Sequence, residues 1–465
     1  MKLYAAPLNF RPIAAEFEIP TAFTPELHAE AAAATDKFAG QRRDAREIPL
    51  VTIDPVGSRD LDQAVCIEQK DSGYRVYYAI ADVAAFIEPG SALSDESLVR
   101  GQTIYLPDEP ARLHPEELSE GSASLLPDVD RPAVLWTFDL DEAGEVDNVH
   151  LERALVHSVA RLDYDGVQAD LDAGRMHPSI EHLPAVGKLR QESSLRRHAI
   201  NLRLPSVRVE ELEDGRYELQ IEPRHPIMDY NSEISLLTGM AAGQMMESAD
   251  TGFLRTLRPA TEESEKVFRD EVHALGFAFD ADMPIGEFLS VVNPDTPRGM
   301  AVQREAQKLL RGAGYVALPE KDPEVHAGIG GYYSHVTAPL RRLIDRYATE
   351  VCLAISGGYE VPSWVTEGAP AVVKSMGRTS PLANSVDRAC LNLTEATVLA
   401  PWLGQNFDGV VLQTNPESAQ SRIFIIEPPV LGQSLGTPEE GIETNFSLVR
   451  ADVQTREVAF AWPAD

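Results

Sequence analysis

In "LVTIDPVGSRDLDQAV", residues 50–65, an apolar run leads into a loop rich in aspartate. Asp54, Asp60 and Asp62 are close together in this loop, and Gln63 follows directly. The flanking runs "IPLVTID" and "AVCIEQ" favour β-strands, as does the alternating "YRVYYAIADV" after a "DSG" turn. The sequence therefore predicts an acidic loop between strands of one sheet.

The simplest role for aspartate in a loop is to form turns and caps. Asp60 and Asp62 are two residues apart, however, so in an extended chain their side chains point to the same side. With Asp54 at the end of the preceding strand, three carboxylates could converge and repel one another by roughly 4 kcal/mol per pair at an effective dielectric of 20. A hard divalent cation with oxygen ligands would offset this repulsion. Because the EF-hand spacing is absent, Mg²⁺ bound together with a substrate phosphate fits better than Ca²⁺.

Composition limits the classes of function. The chain has 465 residues, enough for two or three domains, and a formal net charge of -32. This charge disfavours non-specific binding to nucleic acid unless basic groups are gathered in one channel. The cysteines, Cys66, Cys352 and Cys390, are far apart in apolar contexts, which indicates small core residues. We expect neither a zinc site nor a disulfide-linked partner.

The sequence shows neither a membrane-spanning run nor the pattern of a signal peptide. No apolar run in the sequence is long enough to span a membrane. The first twenty residues lack the apolar core of a signal peptide. We therefore expect a cytoplasmic protein with no membrane association.

The patterns typical of helices and strands divide the chain into three parts. Residues 1–46 are expected to be helical: Thr24 is a candidate N-cap before Pro25, Gly40 marks an end, and a shorter helix is expected near Pro12–Glu18. Two such helices could form a helix-turn-helix or simply pack against the rest. Residues 47–400 indicate one mixed α/β (α+β) domain. Its helical periodicity covers 185–201, 232–248, 262–275 and 297–312.

The C-terminal part has a different pattern. The segments "FDGVVLQT", "SRIFIIEP", "TNFSLVRADV" and "REVAFAWP" are short strands at regular spacing with turn residues between them. This pattern is typical of a small closed β-barrel of the OB type, over residues 405–463.

Several motifs occur along the chain in one order. "TIDPVGSRDLDQA" is followed by "YYAIADVAAFI", "TIYLPDEP", "LHPEELSEGSASLLP" and "YSHVTAPLRRLIDR". The series resembles the RNB catalytic domain of the ribonuclease II/R family, from Leu50 to about Thr394, and the barrel resembles that family's terminal RNA-binding OB domain. The resemblance implies a hydrolytic 3′→5′ exoribonuclease. Such an enzyme uses magnesium, with Mn²⁺ as a possible substitute, to degrade single-stranded RNA to nucleoside 5′-monophosphates.

The resemblance also assigns the metal site. Asp54, Asp60 and Asp62 match the first three of four metal-binding aspartates, with Asp62 also catalytic, while Gln63 stands at the fourth position. An amide oxygen can bind magnesium but brings no charge. The site could hold one or two Mg²⁺ ions, or the protein could be a catalytically inactive RNA-binding relative. We expect activity because the other motifs match.

The segment "YSHVTAPLRRLIDR" predicts a helix with Thr337 as its N-cap, which places Arg341 and Arg342 in the first turn. Cations are disfavoured there by the helix dipole. Either Arg341 pairs with Asp345 four residues later, or the arginines face an anion. The resemblance favours the second alternative: it matches Arg341 to the catalytic arginine that contacts the scissile phosphate and leaves Arg342 a supporting role in RNA binding.

Four further positions come from the resemblance. Tyr105 and Tyr164 match aromatic residues that contact RNA bases, although on sequence alone each is more typical of a core. Leu202 stands where many relatives carry a phenylalanine that clamps the RNA. Asp387 lies near an acidic position close to the substrate.

The region before the acidic loop is short. Only about 50 residues precede Asp54, so the resemblance implies a short form that lacks the N-terminal cold-shock barrels. We expect RNA delivery to depend on the C-terminal barrel, the N-terminal helices and the mouth of the catalytic domain. A DNA-binding regulator that uses the N-terminal helices is the remaining alternative, and the acidic net charge argues against it.

Overall fold

A computed structural model describes residues 3–5, 7–204, 206–222, 224–319 and 322–463. Its centre is a six-stranded sheet in the order β1-β6-β2-β3-β4-β5. The strands are β1 (Arg43–Asp44), β2 (Leu50–Asp54), β3 (Gln63–Gln69), β4 (Tyr74–Ala81), β5 (Asp130–Leu140) and β6 (Val146–Asp163). The predicted strands around the acidic loop are therefore confirmed.

The sheet closes on itself through β6, which is 18 residues long. Its first part pairs antiparallel with β5, and its last part, from Ser158 to Asp163, pairs parallel with β2. Trp136, Tyr78 and Phe138 are among the largest fully buried side chains and lie in the core of this sheet. Large apolar side chains on β4 and β5 thus fix the strands that carry the acidic loop.

The N-terminal segment has two short helices, as predicted: α1 (Arg11–Glu16) and α2 (Pro25–Ala33). The Thr24 hydroxyl accepts a hydrogen bond from Leu27 N at 3.4 Å, so the N-cap is confirmed. Ile13 of α1 and Leu27 of α2 are buried in two different core clusters. The helices therefore pack against the rest of the protein.

Helices pack against both faces of the sheet and continue into the second half of the chain. The bounds are α3 (Ala92–Arg100), α4 (Tyr164–Asp172), α5 (Leu183–Arg196), β7 (Val207–Glu211), β8 (Tyr217–Ile221), α6 (Pro226–Ser248), β9 (Gly252–Thr256), α7 (Glu262–Ala274), α8 (Ile285–Val291), α9 (Pro297–Ala306) and β10 (Gly314–Leu318). All four helices predicted by periodicity are present, with different ends. α5 stops before His198, whose φ of 58° cannot continue a right-handed helix.

The helix predicted from Thr337 begins later. α10 (Leu343–Gly357) starts with extended Arg342 in the N-cap position, so Thr337 is not its cap. Residues 333–342 instead form an irregular segment held by Asp345. Its buried carboxylate accepts hydrogen bonds from Ala338 N at 2.7 Å and from Arg342 at 2.9 and 3.0 Å.

The C-terminal part is a helix followed by a closed barrel. α11 (Ser363–Leu399) has 37 residues and contains Pro370 and Pro381. The barrel strands are β11 (Asn406–Asn415), β12 (Gln420–Ile425), β13 (Val430–Leu435), β14 (Glu443–Asp452) and β15 (Glu457–Ala461). Their order, β11-β12-β13-β15-β14, closes on itself, which confirms the predicted barrel and adds the strand β13.

Two further features agree with the composition. Cys66, Cys352 and Cys390 are buried free thiols, as expected of small core residues. Among the described residues, the helices are all too short or too polar to cross a lipid bilayer.

Candidate active site

The acidic loop connects the end of β2 to the start of β3, and two hydrogen bonds to the Ser124 hydroxyl fix its backbone. The Ser124 hydroxyl accepts a hydrogen bond from Leu61 N at 2.9 Å and donates one to Arg59 O at 2.6 Å. Asp62 O accepts a hydrogen bond from Ala81 N at 2.9 Å. These contacts hold the backbone on both sides of Asp60, so the loop is fixed by bonds that reach well beyond its own residues.

Asp62 is buried, and Asp54 and Asp60 are partly buried. Burial and the charge of Asp60 raise the pKa of Asp54 to about 7, against the opposing charges of Arg341 and Arg161. Burial raises the pKa of Asp62 to about 8, although Arg341 and the Leu340 N–H oppose it. Burial also raises the pKa of Asp60. The protein alone leaves these carboxylates short of positive charge.

Arg341 is the cation nearest to this cluster. Its Nε lies 3.5 Å from Asp62 Oδ2, and 44 % of its side chain is exposed. Its charge lowers the pKa of each of the three aspartates. A guanidinium that faces a carboxylate cluster and still reaches solvent can also contact an anion that enters from outside.

The irregular segment 333–342 is attached to the acidic loop by two hydrogen bonds. Leu340 N donates to Asp62 Oδ1 at 2.8 Å, and Gln63 Nε2 donates to Thr337 O at 2.5 Å. Because the amide nitrogen of Gln63 is engaged in this way, its Oε1 is the atom left for a cation. The two hydrogen bonds hold the segment that carries Arg341 against the acidic loop. Asp62 and Gln63 thus position Arg341, a role that the sequence did not indicate.

Arg342 has a different environment from Arg341. Its guanidinium makes two hydrogen bonds to Asp345, whose side chain is fully buried. The alternative in which Arg341 pairs with Asp345 is therefore wrong, because residues 341 and 345 are not in one helix. Asp345 pairs with Arg342, which supports the segment that carries Arg341, and direct RNA contact by Arg342 stays a prediction.

The two predicted aromatic residues lie beside this cluster. Tyr105 is 52 % exposed, which is not the environment of a core residue, and its hydroxyl is within the field of Arg341, Asp60 and Asp62. Tyr164 begins α4 directly after Asp163, whose carboxylate caps the helix at Gly166 N. Its half-buried ring is near Asp54 and Arg341. The structure thus brings both tyrosines to the carboxylates.

Asn231 on α6 is a further residue of this neighbourhood that the sequence did not indicate. Its Nδ2 donates to the Tyr164 hydroxyl at 3.2 Å. Its own sequence context gave no signal, since only the fold brings α6 against Tyr164. Asn231 therefore helps to orient the tyrosine.

Leu202 and Asp387 are placed elsewhere. Leu202 packs against the apolar cluster of α7, α8 and α9, and in the described part of the chain nothing links it to the aspartates. Asp387 lies on the exposed side of α11, where its nearest charges are Glu222 and Arg388. Their roles at the substrate stay predictions.

The donor set fits an open magnesium site. Across the described ranges, no three His, Cys, Asp or Glu side chains are gathered closely enough to enclose a metal ion. Mg²⁺ loses its waters reluctantly, however, and is usually bound by one or two carboxylates together with substrate phosphate. Such an ion would supply the positive charge that these carboxylates lack, with Asp54, Asp60 and Asp62 as candidate ligands.

Comparison with known proteins agrees with the fold and the motifs. Residues 42–354 match the RNB domain, and residues 405–462 match the RNase II-type exonuclease C-terminal S1 domain. The chain belongs to the ribonuclease II/R family. Enzymes of the RNB family typically use Mg²⁺.

Two relatives indicate how much of the family this chain represents. It is 30% identical over 346 residues to ribonuclease R of Vibrio parahaemolyticus, which covers 70% of this chain and 41% of that protein. It is 27% identical over 399 residues to ribonuclease R of Escherichia coli, with coverages of 79% and 47%. The chain thus spans less than half the length of these two curated relatives.

Solved structures share the RNB fold. RNase R of Mycoplasma genitalium in complex with ribose-methylated single-stranded RNA has a TM-score of 0.88 at 18% identity, covering 97% of this chain and 77% of that one. Yeast Ssd1, a pseudonuclease, has a TM-score of 0.71 at 15% identity, with coverages of 94% and 55%. The fold is therefore shared by proteins described as nucleases and by one described as a pseudonuclease.

Proposed function

We propose that this protein is a Mg²⁺-dependent hydrolytic exoribonuclease that removes nucleoside 5′-monophosphates from the 3′ end of single-stranded RNA. One observation carries the proposal: the partly exposed guanidinium of Arg341 lies 3.5 Å from Asp62 Oδ2, and its charge also acts on Asp54 and Asp60. This combination suits a phosphodiester, whose phosphate needs both a cation on the carboxylates and a donor for its oxygens.

The residues of the chain would divide the work as follows. Arg341 donates to the phosphoryl oxygens and stabilises the charge that develops on them. Asp54, Asp60 and Asp62, with the Gln63 carbonyl, would hold one or two Mg²⁺ ions, or Mn²⁺ in their place. Magnesium supplies the Lewis acidity for hydrolysis when bound there. Tyr105 offers an exposed ring on which a terminal base can stack without regard to sequence.

An approach path for RNA is supported by charge. Arg388 of α11 and Arg422 of β12 line a groove of about 640 Å³ between the helix and the barrel. Among the described residues, neither forms an ion pair, although the protein as a whole carries a net charge of -32. Arg388 is within the field of Asp387, and Arg422 is within the field of Glu395, which also lines the groove. Two guanidinium groups without a direct ion pair on one groove suit a phosphodiester backbone.

The second candidate is a catalytically inactive RNA-binding protein. The observation behind it is Gln63, which stands where a fourth carboxylate is expected and donates its amide to Thr337 O. In that case the carboxylate cluster and Arg341 would bind RNA ends without cleaving them.

One experiment separates the two candidates. Oligo(A) labelled at either the 3′ or the 5′ end is incubated with the protein in Mg²⁺, in Mn²⁺ or in EDTA, and the products are resolved. The enzyme should release labelled AMP at once from the 3′-labelled substrate and a ladder of shortened chains from the 5′-labelled one, with no products in EDTA. Retained binding of oligo(A) without any product in either metal would establish the inactive alternative.

A further inference from the structure

A second cavity lies on the RNB domain, away from the carboxylates. It has a volume of about 800 Å³, within the usual range for small-molecule sites. Its walls come from the C-terminal half of α6, the start of β6, the end of α10 and the segment Gly330–Tyr332. The lining is largely apolar: Val146, Val149, Leu237, Met240, Ala241, Met245, Tyr332 and Ile355. We call it the α6 groove.

Two arginines line one end of the α6 groove. Arg190 is only 2% exposed; its Nη1 donates to Gly144 O at 2.7 Å and to Glu145 Oε2 at 3.0 Å, but its buried Nε has no partner. Arg197 donates through Nη1 to the Ser193 hydroxyl and through Nε to Ile329 O at 3.4 Å. A buried N–H without an acceptor is rare in proteins and indicates a missing partner.

The acids near these arginines already have partners. Glu145 divides its two oxygens among Arg190, Arg196 and Ser193. Burial raises the pKa of Glu233, and the neighbouring charge of Asp229 raises it further. Burial and the charge of Arg190 lower the pKa of Arg197 to about 10. This end of the groove therefore places two guanidinium groups, one of them with an unpartnered Nε, beside an apolar wall.

We propose that the α6 groove binds a small amphipathic acid, with its carboxylate on Arg190 and Arg197 and its apolar body along α6. The unpartnered Nε of Arg190 and the Nη2 of Arg197 would each donate to one oxygen of the carboxylate, and hydrogen bonds between charged partners are the stronger kind. Met240 and Met245 have flexible side chains that adapt to an apolar body of variable shape. The inference goes beyond the proposed nuclease function.

RNA is a poor match for this groove. A phosphodiester chain carries one charge per nucleotide, whereas charged partners occur at one end only. The groove is also displaced from the candidate active site along α6. Asn231, which contacts Tyr164, is nine residues before Met240, or roughly 14 Å at 1.5 Å per residue.

The test uses ligand binding and no RNA cleavage, so its outcome is independent of the proposed nuclease activity. The probe is the anionic dye 1-anilinonaphthalene-8-sulfonate, displaced by dodecanoate below its micelle concentration. Dodecanol, which has the same chain without the charge, and acetate, which has the charge without the chain, are the matched competitors. We expect one dodecanoate per chain, with dodecanol and acetate each at least ten-fold weaker. Equal displacement by dodecanol would overturn the proposal.

Variants locate the binding. Ala241→Trp fills the groove, and Arg197→Gln removes a charge from its end; each should weaken dodecanoate binding at least ten-fold. Arg197→Gln should leave dodecanol binding unchanged, a difference that misfolding cannot produce. Val291→Glu, on the 74% exposed Val291 of α8, is the control and should bind as the unchanged protein does. Unchanged dodecanoate binding in Ala241→Trp, or displacement of the dye by oligo(A), would show that the ligand lies elsewhere or that the groove belongs to the RNA path.

Discussion

Asp62 combines two properties at the scale of one residue. Its Oδ1 fixes Leu340 N, while its carboxylate is buried and has a pKa of about 8. A carboxylate whose folded pKa is raised binds a proton more tightly in the folded state than in the unfolded one. Stability should therefore fall as the pH rises from about 4 to about 8, and a bound cation should restore it.

We expect Asp62→Asn to abolish hydrolysis and to leave RNA affinity within a few-fold of the unchanged protein. The amide retains an acceptor for Leu340 N but loses the charge that a cation needs. In EDTA at pH 7.5 the variant should also melt at a higher temperature, because folding no longer requires a carboxyl that is ionised in the unfolded chain to take up a proton. Measured turnover at saturating Mg²⁺ equal to that of the unchanged protein would refute the metal-site assignment.

Arg341→Ala should lower the single-turnover rate by on the order of 10²–10³, with a smaller effect on RNA affinity. The guanidinium is expected to stabilise the negative charge that develops on the phosphoryl oxygens in the transition state. Its removal should therefore affect the rate more than the binding of RNA. Arg258→Ala, at an exposed surface arginine, is the control. If RNA affinity fell and the single-turnover rate did not, Arg341 would only hold the substrate.

Gln63→Asp should have two separable effects. A fourth carboxylate should lower the Mg²⁺ concentration needed for half-maximal rate. Loss of the hydrogen bond to Thr337 O should also lower the maximal rate, because the segment that carries Arg341 is released. A Mg²⁺ titration of initial rates measures both, and an unchanged Mg²⁺ requirement would show that residue 63 does not face the cation.

Sequence reasoning reached the aspartates and Arg341 because the motifs around them are specific. The sequence did not indicate that Asp345 pairs with Arg342, or that the Gln63 amide donates a hydrogen bond to Thr337 O. The rule that pairs residues four apart assumes a helix, and residues 338–342 are not helical. The second bond joins positions 274 residues apart, so only the folded chain reveals it.

At the scale of elements, the irregular segment 333–342 depends on the first turn of α10. Asp345 is fully buried and is the acceptor for both Ala338 N and the Arg342 guanidinium. The segment is thus held from both sides, by the acidic loop and by α10.

Asp345→Asn should destabilise the protein by roughly 3 kcal/mol, since it leaves Arg342 without its charged partner in a buried place. Urea unfolding measures this loss. Asp95→Asn, on the exposed side of the first turn of α3, is the control and should change stability little. Stability equal to that of the unchanged protein would mean that Arg342 finds another acceptor.

Elements differ in how well their sequences predict them. The helix α7 begins after Thr261, which caps it, and carries three glutamates in its first turn, so its sequence is easily recognised. α11 contains Pro370 and Pro381, which normally interrupt a helix, and it was not predicted. The strand β13 contains Gly432, which is uncommon inside strands, and it was also missed.

At the scale of the whole molecule, the distribution of charge matters more than its sum. The groove with Arg388 and Arg422 lies between α11 and the barrel. It offers arginine side chains to a nucleic-acid backbone in a protein whose net charge is -32. The closure of the central sheet and this groove arise from contacts between distant parts of the chain, which local patterns do not contain.

The double variant Arg388→Gln with Arg422→Gln should weaken binding of single-stranded RNA and reduce its salt dependence. Each phosphate contact contributes a slope of about -0.7 in log affinity against log salt, so losing two should reduce the slope by about 1.4. Binding is measured in EDTA from low to high salt, with Arg258→Gln as the control. A lower affinity with an unchanged slope would indicate that these arginines do not contact phosphates.

The hydrogen bond from Leu340 N to Asp62 Oδ1 joins residues 278 positions apart. Ribosomal synthesis is directional, so the acidic loop emerges long before the segment that carries Arg341. A nascent or prematurely terminated chain that ends before residue 340 has the carboxylates without the arginine. Under the proposed function such a fragment would not attack the RNA that surrounds it during translation, because competence would require synthesis to pass Arg341.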